Sequence, residues 1–511
     1  MSTRRRLLLG LTFVPVLAGS AAAQNVSLTA GGGAVAAAAL AGCETDLRML
    51  NQISGWQVRW PGALRAQPVG TPGERAVAIE RWRRAPGLLD QDVERLRRGI
   101  AEDRTAPKAV VRRVLDQVDG LLDALPDRPG AGDRETGAAL LSPAARADDP
   151  AFRERWIQLV SEDLAPAIGR YRDFMAGTYL PAAREEPGLA SVPEGARCYR
   201  EAVESWTTLR LSGKEIERRG RAYLAELTGE MIALTGARTP ADLPAILDGL
   251  REGGFEDGFD SRDDVTEHAR EAIERARSAL PGWFAVPGEI PIEVVAIEPS
   301  LEGSFPAGFY RRPSGSGPAA YVVNPSRPAE RRLMAEVIAF HEAVPGHHTS
   351  FAVPLAHGNE PMGSFNSGYV EGWAIYAERL AEEMGLYSTP LDRLGLVAKH
   401  FWAASRLVVE PGLHLHGWSR ERAIEHLLDH STLSREEAAL EVDRYLAIPG
   451  QSLAYVLGFL EIRDIRRDAE AALGDRFDVR VFHDVVLRDG IRPLADVRRD
   501  VEAWVEAHAG G

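Results

Sequence analysis

The sequence predicts a mainly α-helical protein with a multi-helical architecture and a small β-sheet beside a helix that carries histidines. Three observations support this fold class. Apolar residues recur with helical spacing through most of the 511 residues. Short β-type runs occur only between 290 and 324. A histidine-rich segment follows those runs directly. The length of the chain allows one large domain or two average ones.

The helices can be taken in chain order. Apolar residues at i, i+3, i+4 and i+7 predict amphipathic helices over 88–100, 110–125, 149–179, 214–234 and 265–280. Proline and glycine separate these segments. We therefore distinguish an N-terminal helical part, 45–285, from a C-terminal catalytic part, 286–511.

The C-terminal part begins with the β-type segments. Residues 292–297 and 320–324 are rich in branched apolar side chains and are predicted to be strands. Helices resume after residue 325, and we expect one of them to end near Pro411, because proline removes a backbone donor.

Composition and the N-terminus indicate an exported protein. The net charge of −14 argues against general nucleic-acid binding, which requires a basic face. Residues 1–23 combine arginines, an apolar run and small residues, the pattern of an export signal. The paired arginines favour a twin-arginine signal over a plain secretory one, so we expect a periplasmic or secreted protein. No later stretch is long and apolar enough to predict an integral membrane segment.

A Gly/Ala-rich leader, 24–44, follows the signal. Its residues 40–43, LAGC, resemble a lipoprotein processing site, so lipid anchoring at Cys43 is one interpretation. Cys198 is the second of the two cysteines, and in an oxidising compartment the pair could form a disulfide. Free buried thiols are the third possibility. Two cysteines exclude a thiolate-rich zinc site.

The segment HEAVPGHH at 341–348 is the strongest functional signal. In an H-E-x-x-H helix the second histidine stands at i+4, but that position here is Pro345. Proline breaks a helix and Gly346 tolerates the distorted backbone that follows. We therefore predict a helix carrying His341, a looped bulge, and then His347 returning to the same metal. His348 is the alternative ligand.

Two glutamates complete the predicted centre. Glu371 opens a probable helix about thirty residues after the histidines and is the candidate carboxylate ligand. Glu378 lies seven residues further on, on the same helical face, where it could orient a ligand histidine. Glu342 is adjacent to His341 but points in another direction. This position suits a general base that takes a proton from metal-bound water.

Five ordered motifs carry a resemblance to a known family. They are HEAVPGHH at 341–348, GYVEGWAIYAERLAEEMG at 368–385, RLVVEPGLHLHGWSRERAI at 406–424, RYLAIPGQSLAYVLG at 444–458 and FHDVVLRDGIRPL at 482–494. The chain resembles the bacterial proteins grouped as domain of unknown function 885, which look like gluzincin-type zinc peptidases with an altered HExxH helix. The chain departs from the family pattern at Ser350 and at Glu410-Pro411.

The resemblance implies further site residues. It strengthens Glu371 as the third zinc ligand. It places the motifs that contain His414, Arg444 and Tyr455 beside the metal, where these side chains could donate hydrogen bonds to an oxyanion. It also implies that a strand next to the metal helix pairs with an extended substrate, for which 321–324 is the candidate.

These patterns together predict a zinc-dependent hydrolase, most simply a metallopeptidase that cleaves peptide or related amide bonds. Zn²⁺ would be bound by His341, His347 and Glu371, and Glu342 would be the base. Two alternatives remain. Two histidines and a carboxylate also suit a non-haem iron enzyme, although the free Glu342 favours hydrolysis. A non-catalytic periplasmic peptide- or solute-binding protein could retain a structural metal.

Overall fold

The computed structural model describes residues 43, 50–125, 138–253, 255, 258–288, 290–299, 302, 306–313, 317–362 and 366–509. These residues form a mainly helical fold with a small sheet, as the sequence predicts. The predicted export signal, 1–23, lies outside the described residues, and so does the leader apart from Cys43.

Twelve helices precede the sheet in the part of the chain just listed. They are α1 (Trp56–Ala66), α2 (Pro72–Trp82), α3 (Ala85–Ala101), α4 (Lys108–Asp123), α5 (Ala138–Arg146), α6 (Pro150–Gln158), α7 (Ala165–Phe174), α8 (Leu180–Ala182), α9 (Gly195–Thr207), α10 (Gly213–Thr235), α11 (Leu243–Glu252) and α12 (Arg262–Ala279). Two π-helical segments join α6, α7 and α8 into one rod, the helix predicted at 149–179. The four other predicted helices are confirmed as α3, α4, α10 and α12.

The sheet has three strands, β1 (Ile292–Ala296), β2 (Gly308–Arg311) and β3 (Ala319–Val323), in the order β1-β3-β2. β1 runs parallel to β3, and β2 runs antiparallel to it. The two predicted strands are confirmed. The prediction that 321–324 forms the free edge is wrong, because β3 is central and all five of its residues are buried. β1 and β2 are the two edge strands, and β2 is the one that contacts α14 (Ala335–Glu342). β2 was not predicted, because four residues are too few to show an alternating pattern.

Ten helices follow. They are α13 (Pro328–Arg331), α14 (Ala335–Glu342), α15 (His347–Ala356), α16 (Ser367–Glu383), α17 (Pro390–Leu415), α18 (Arg420–Leu428), α19 (Arg435–Ala447), α20 (Ala454–Leu473), α21 (Val479–Leu487) and α22 (Leu494–Ala509). The predicted helix end near Pro411 is wrong. α17 continues through Pro411 to Leu415, because the residues after the proline are buried and the N–H of His416 still bonds to the Pro411 carbonyl.

One hydrophobic core runs through both predicted parts of the chain. It includes Trp60 and Leu227 from the N-terminal helices as well as Trp373 and Leu457 from the C-terminal ones. α10 packs along α17, and α16 packs along α20. The predicted catalytic part is therefore supported by helices from both sides of the boundary at residue 285.

Two further features bear on the sequence predictions. Cys43 and Cys198 form a disulfide, with their Cα atoms 5.6 Å apart.

Within the described ranges no single helix has the length and apolarity to span a membrane. One bent pair, Arg435–Ala447 with Gln451–Arg476, meets that test by length and composition alone.

Candidate metal centre

Three buried side chains from α14, α15 and α16 converge on one point. Nε2 of His341 lies 3.5 Å from Oε2 of Glu371, and Nε2 of His347 lies 3.6 Å from the same oxygen. One ligand atom from each residue can be chosen so that all three lie within 4.8 Å of one another. The predicted set of His341, His347 and Glu371 is thus brought together.

These distances fit a tetrahedral zinc site. With metal–ligand bonds of about 2.1 Å, two tetrahedral ligands are about 3.4 Å apart, close to the two measured separations. Within the described residues, His341 Nε2, His347 Nε2 and Glu371 Oε2 are buried and have no hydrogen-bond partner. Buried polar atoms without partners are costly, and one shared cation would satisfy all three.

The chain between the two histidines forms the predicted bulge. α14 ends at Glu342, and Ala343 and Gly346 have non-helical backbone angles before α15 begins at His347. A Cβ on Gly346 would lie 2.0 Å from the carbonyl oxygen of His341, so only glycine fits this turn. Trp373 of α16 holds the turn by donating its indole N–H to the Pro345 carbonyl at 3.1 Å.

His348 does not face the centre. Its Nε2 donates to the carbonyl of Ile290 at 2.8 Å, and its Nδ1 lies 3.2 Å from the hydroxyl of Tyr310. Burial lowers the pKa of His348 to about 4, so the ring is neutral and uses both nitrogens in these contacts. The structure therefore favours His347 over the alternative ligand.

Glu342 lies beside the three ligand atoms and is fully buried. One oxygen, Oε2, accepts from the backbone N–H of Tyr310 at 3.0 Å and lies 3.9 Å from His347 Nε2. The other oxygen, Oε1, has no hydrogen-bond partner among the described residues. Burial raises the pKa of Glu342 to about 7, the range in which a carboxylate can accept and return a proton near neutral pH.

A charged network supports His341 from behind. Its Nδ1 hydrogen-bonds to Oε1 of Glu378 at 2.6 Å, the orienting contact predicted for this glutamate. Lys399 forms an ion pair with Glu378, and His400 contacts it at 3.1 Å. Burial alone would raise the pKa of Glu378, but Lys399 and the hydrogen bonds from His341 and His400 hold it far below its usual range.

Lys399 and His400 were not predicted from the sequence. Both lie in the middle of α17, a long apolar helix that is remote in sequence from the histidine motif. In the sequence they could have been found only as two adjacent ionisable residues inside an otherwise apolar helical stretch.

The three predicted oxyanion donors differ from one another in their surroundings in the structure. Tyr455 is buried and close enough to Glu371 for their charges to interact. Arg444 is near Tyr455 but bonds to Glu441 at 2.8 Å and to Gln451 at 2.5 Å. His414 bonds through its two ring nitrogens to Leu189 and Tyr445 and stacks on Tyr199, and none of these residues belongs to the centre. His414 therefore has no free nitrogen for a substrate.

Comparison with known proteins supports the family resemblance. A crystal structure of a protein described as a "putative lipoprotein" from Colwellia psychrerythraea is 27% identical, covers 90% of this chain and 80% of its own, and has a TM-score of 0.79. A second structure, described as a "putative lipoprotein of unknown function" from Shewanella oneidensis, is 19% identical, with coverages of 87% and 82% and a TM-score of 0.65, and it shows the same fold. No curated protein matches the sequence significantly.

The family model described as "Bacterial protein of unknown function (DUF885)" matches residues 20–501. All five motifs that carry the resemblance lie inside this range, and so do all the residues of the candidate metal centre. The chain is therefore a member of the DUF885 family of bacterial proteins.

Proposed function

We propose that this protein is a zinc-dependent hydrolase, a metallopeptidase-like enzyme that cleaves peptide or related amide bonds. One observation carries the proposal. Four buried polar atoms, on His341, His347, Glu371 and Glu342, converge without protein partners in the described part of the chain. Three of them suit a metal, and the fourth suits the water that a metal would activate.

Each side chain has a part in this proposal. Zinc would act as a Lewis acid on the scissile carbonyl and lower the pKa of a water molecule. Glu342 would take the proton from that water on Oε1 and later deliver it to the leaving amine. Glu378 would keep the Nδ1 proton of His341 in place, so that Nε2 faces the metal. Tyr455 would donate a hydrogen bond to the oxyanion.

The outer edge of β2 is the proposed position for the substrate backbone. The N–H of Asn324 donates to the Ala307 carbonyl at 2.8 Å. From this pair onward, hydrogen-bonded and non-hydrogen-bonded residue pairs alternate along β2 and β3. The backbone groups of Gly308 and Tyr310 therefore point away from β3. The N–H of Tyr310 already bonds to Glu342. A peptide aligned along Gly308 would reach the carboxylate that acts as the base.

We also infer that the protein is exported to the cell envelope. The two similar structures are each described as a "putative lipoprotein", and residues 1–23 have the composition of an export signal. In this chain the sulfur of Cys43 is bonded to Cys198, so it is not available for a lipid. A twin-arginine signal predicts that changing Arg5 and Arg6 to lysine leaves the protein in the cytoplasm, which cell fractionation would detect.

Elemental analysis of the purified protein tests the metal site. We expect about one zinc per chain in the wild type and none in His347→Ala, while His348→Ala, the matched control, keeps its zinc. A wild-type protein that contains no metal and takes up no added zinc would refute the hydrolase proposal. Turnover supported only by iron would favour the non-haem iron alternative.

Hydrolysis of short peptides tests the base. Glu342→Gln is expected to keep zinc but to lose at least about 100-fold in kcat, the low end for removal of a general base. Full turnover in that variant would exclude Glu342 as the base. Bound zinc without hydrolysis of any peptide in a broad library would favour the non-catalytic binding protein.

A further inference from the structure

A buried arginine on α17 has an unused hydrogen-bond donor close to the metal centre. Arg406 is only 2% exposed, yet its Nε and Nη2 make only long contacts, to Tyr445 at 3.2 Å and to Glu441 at 3.4 Å. Its Nη1 has no hydrogen-bond partner in the described part of the chain, and it is not among the fully enclosed atoms. Nη1 therefore faces space that a small molecule can reach.

A second unused donor lies against it. The guanidinium carbon of Arg406 is 3.9 Å from the centre of the Trp402 ring. Trp402 is buried, and its Nε1 has no partner among the described residues. This nitrogen is fully enclosed, so a ligand can reach Nη1 of Arg406 but not the indole N–H. A guanidinium N–H that lacks an acceptor and is held against an indole at a buried position indicates a ligand with acceptor oxygens.

The charges nearby favour an anion. Arg406 and Arg444 share one carboxylate, Glu441, which also accepts from the Tyr445 hydroxyl at 2.8 Å. Glu410, four residues further along α17, is neutral over part of the physiological range, since burial raises its pKa to about 7. One positive charge is left without a partner at this position, and burial makes such a charge costly unless a ligand neutralises it.

The position connects this pair to the proposed active site. The ring of Tyr455 is 5.1 Å from the Arg406 guanidinium, and the Tyr455 hydroxyl interacts electrostatically with Glu371. Lys399, which contacts His341, lies seven residues before Arg406 on the same face of α17, about 10 Å along the helix axis. An extended peptide covers that distance in about three residues.

We propose that Arg406 and Trp402 form a subsite that binds a carboxylate of the substrate within about three residues of the scissile bond. This inference rests on the proposed hydrolase function and specifies its substrate class, a short peptide with a nearby carboxylate. The carboxylate would accept from Nη1 of Arg406, whose guanidinium is held in place by stacking on the Trp402 ring. Tyr455 would lie between this subsite and Glu371. The carboxylate can be the C-terminus of a peptide or an acidic side chain.

Binding to the zinc-loaded Glu342→Gln protein tests the subsite without relying on turnover. The probes are the peptide Ala-Ala-Ala as a free acid, the same peptide as a C-terminal amide, and Ala-Ala-Glu as an amide. Calorimetric titration should show that the free acid binds at least about tenfold tighter than its amide, because hydrogen bonds to charged groups are the strong ones. Recovery of this affinity by Ala-Ala-Glu amide would identify the acidic side chain as an accepted source, and no recovery would restrict the subsite to the C-terminus.

Two substitutions assign the effect to this position. Arg406→Lys keeps the charge but removes the planar fork, and it should abolish most of the preference for the acid while zinc content stays unchanged. Trp402→Phe should weaken it severalfold. Arg422→Lys is the matched control, since Arg422 also stacks on a tryptophan, Trp418, at 4.1 Å, and it should behave like the wild type.

Equal affinity for acid and amide, or no binding of either peptide, would overturn the subsite. An acid preference that survives in both Arg406→Lys and Trp402→Phe would overturn it as well. Hydrolysis distinguishes this failure from failure of the proposed function. A wild-type enzyme that cleaves acid and amide equally well remains a hydrolase without the subsite. A zinc-loaded protein that binds the acid selectively but cleaves no peptide has the subsite and is not a peptidase.

Discussion

The contact between α16 and α20 provides the sharpest test of how the fold holds Glu371. The two helices touch through Gly372 and Gly458. A Cβ added to Gly372 would lie 2.5 Å from the carbonyl carbon of Gly458 and 2.6 Å from its Cα. Carbon atoms in van der Waals contact are about 3.5–4.0 Å apart. Gly372→Ala therefore requires the helices to separate by about 1 Å, because the atoms in its way are backbone atoms.

The expected cost has two parts. Overpacking typically costs about 1–3 kcal/mol, and the upper end applies where backbone must move. The helix propensity of alanine offsets about 0.8–1.0 kcal/mol. We therefore expect a net loss of about 2 kcal/mol in the free energy of unfolding. Glu371 precedes Gly372, and a displacement of about 1 Å exceeds the roughly 0.2 Å tolerance of a zinc–ligand distance, so zinc affinity should fall too.

Urea unfolding of the metal-free protein and competition of zinc binding against a chelator measure the two effects. Gly229→Ala in α10 is the control, because a Cβ there meets nothing within 4 Å. It should stabilise the protein by about 0.5–1 kcal/mol and leave zinc affinity unchanged. If Gly372→Ala matches the wild type in both measurements, this helix contact does not position the ligand.

Three further predictions concern stability. Lys399→Met should lower the free energy of unfolding by about 3 kcal/mol, because it leaves the buried charge of Glu378 without its cation. Lys214→Met on the surface is the control and should have little effect. Equal losses of stability in the two variants would contradict this reasoning. Burial lowers the pKa of His483 to about 3 in the folded protein. The contribution of the neutral ring to the free energy of unfolding should therefore be fully present above the unfolded pKa of about 6.5, and should fall by about 1.4 kcal/mol per pH unit as the pH drops towards 3. His483→Gln should flatten this part of the pH profile of thermal unfolding. Cys198→Ser should cost about 5 kcal/mol in chemical unfolding, because the bridge closes a loop with a sequence separation of 155. An unchanged midpoint would show that the bridge does not contribute.

Local sequence determined the elements that depend on neighbouring residues. Helical periodicity predicted α3, α4, α10 and α12, because burial of one face repeats along the chain. The Pro-Gly pair predicted the interruption between His341 and His347, because those residues restrict or free the backbone wherever they occur. The same logic failed at Pro411, where burial of the following turn outweighed the local preference for ending the helix.

Tertiary structure decided what depends on contacts between distant segments. His347 rather than His348 joins the centre because Ile290 and Tyr310 occupy the nitrogens of His348. β2 rather than β3 became the edge strand beside α14, since the order of strands is set by packing and not by their composition. Lys399 reaches His341, and Arg406 reaches Tyr455, only because α17 passes behind α14 and beside α20. Ion pairs and hydrogen bonds depend on distances in three dimensions, and the order of residues along the chain does not give those distances.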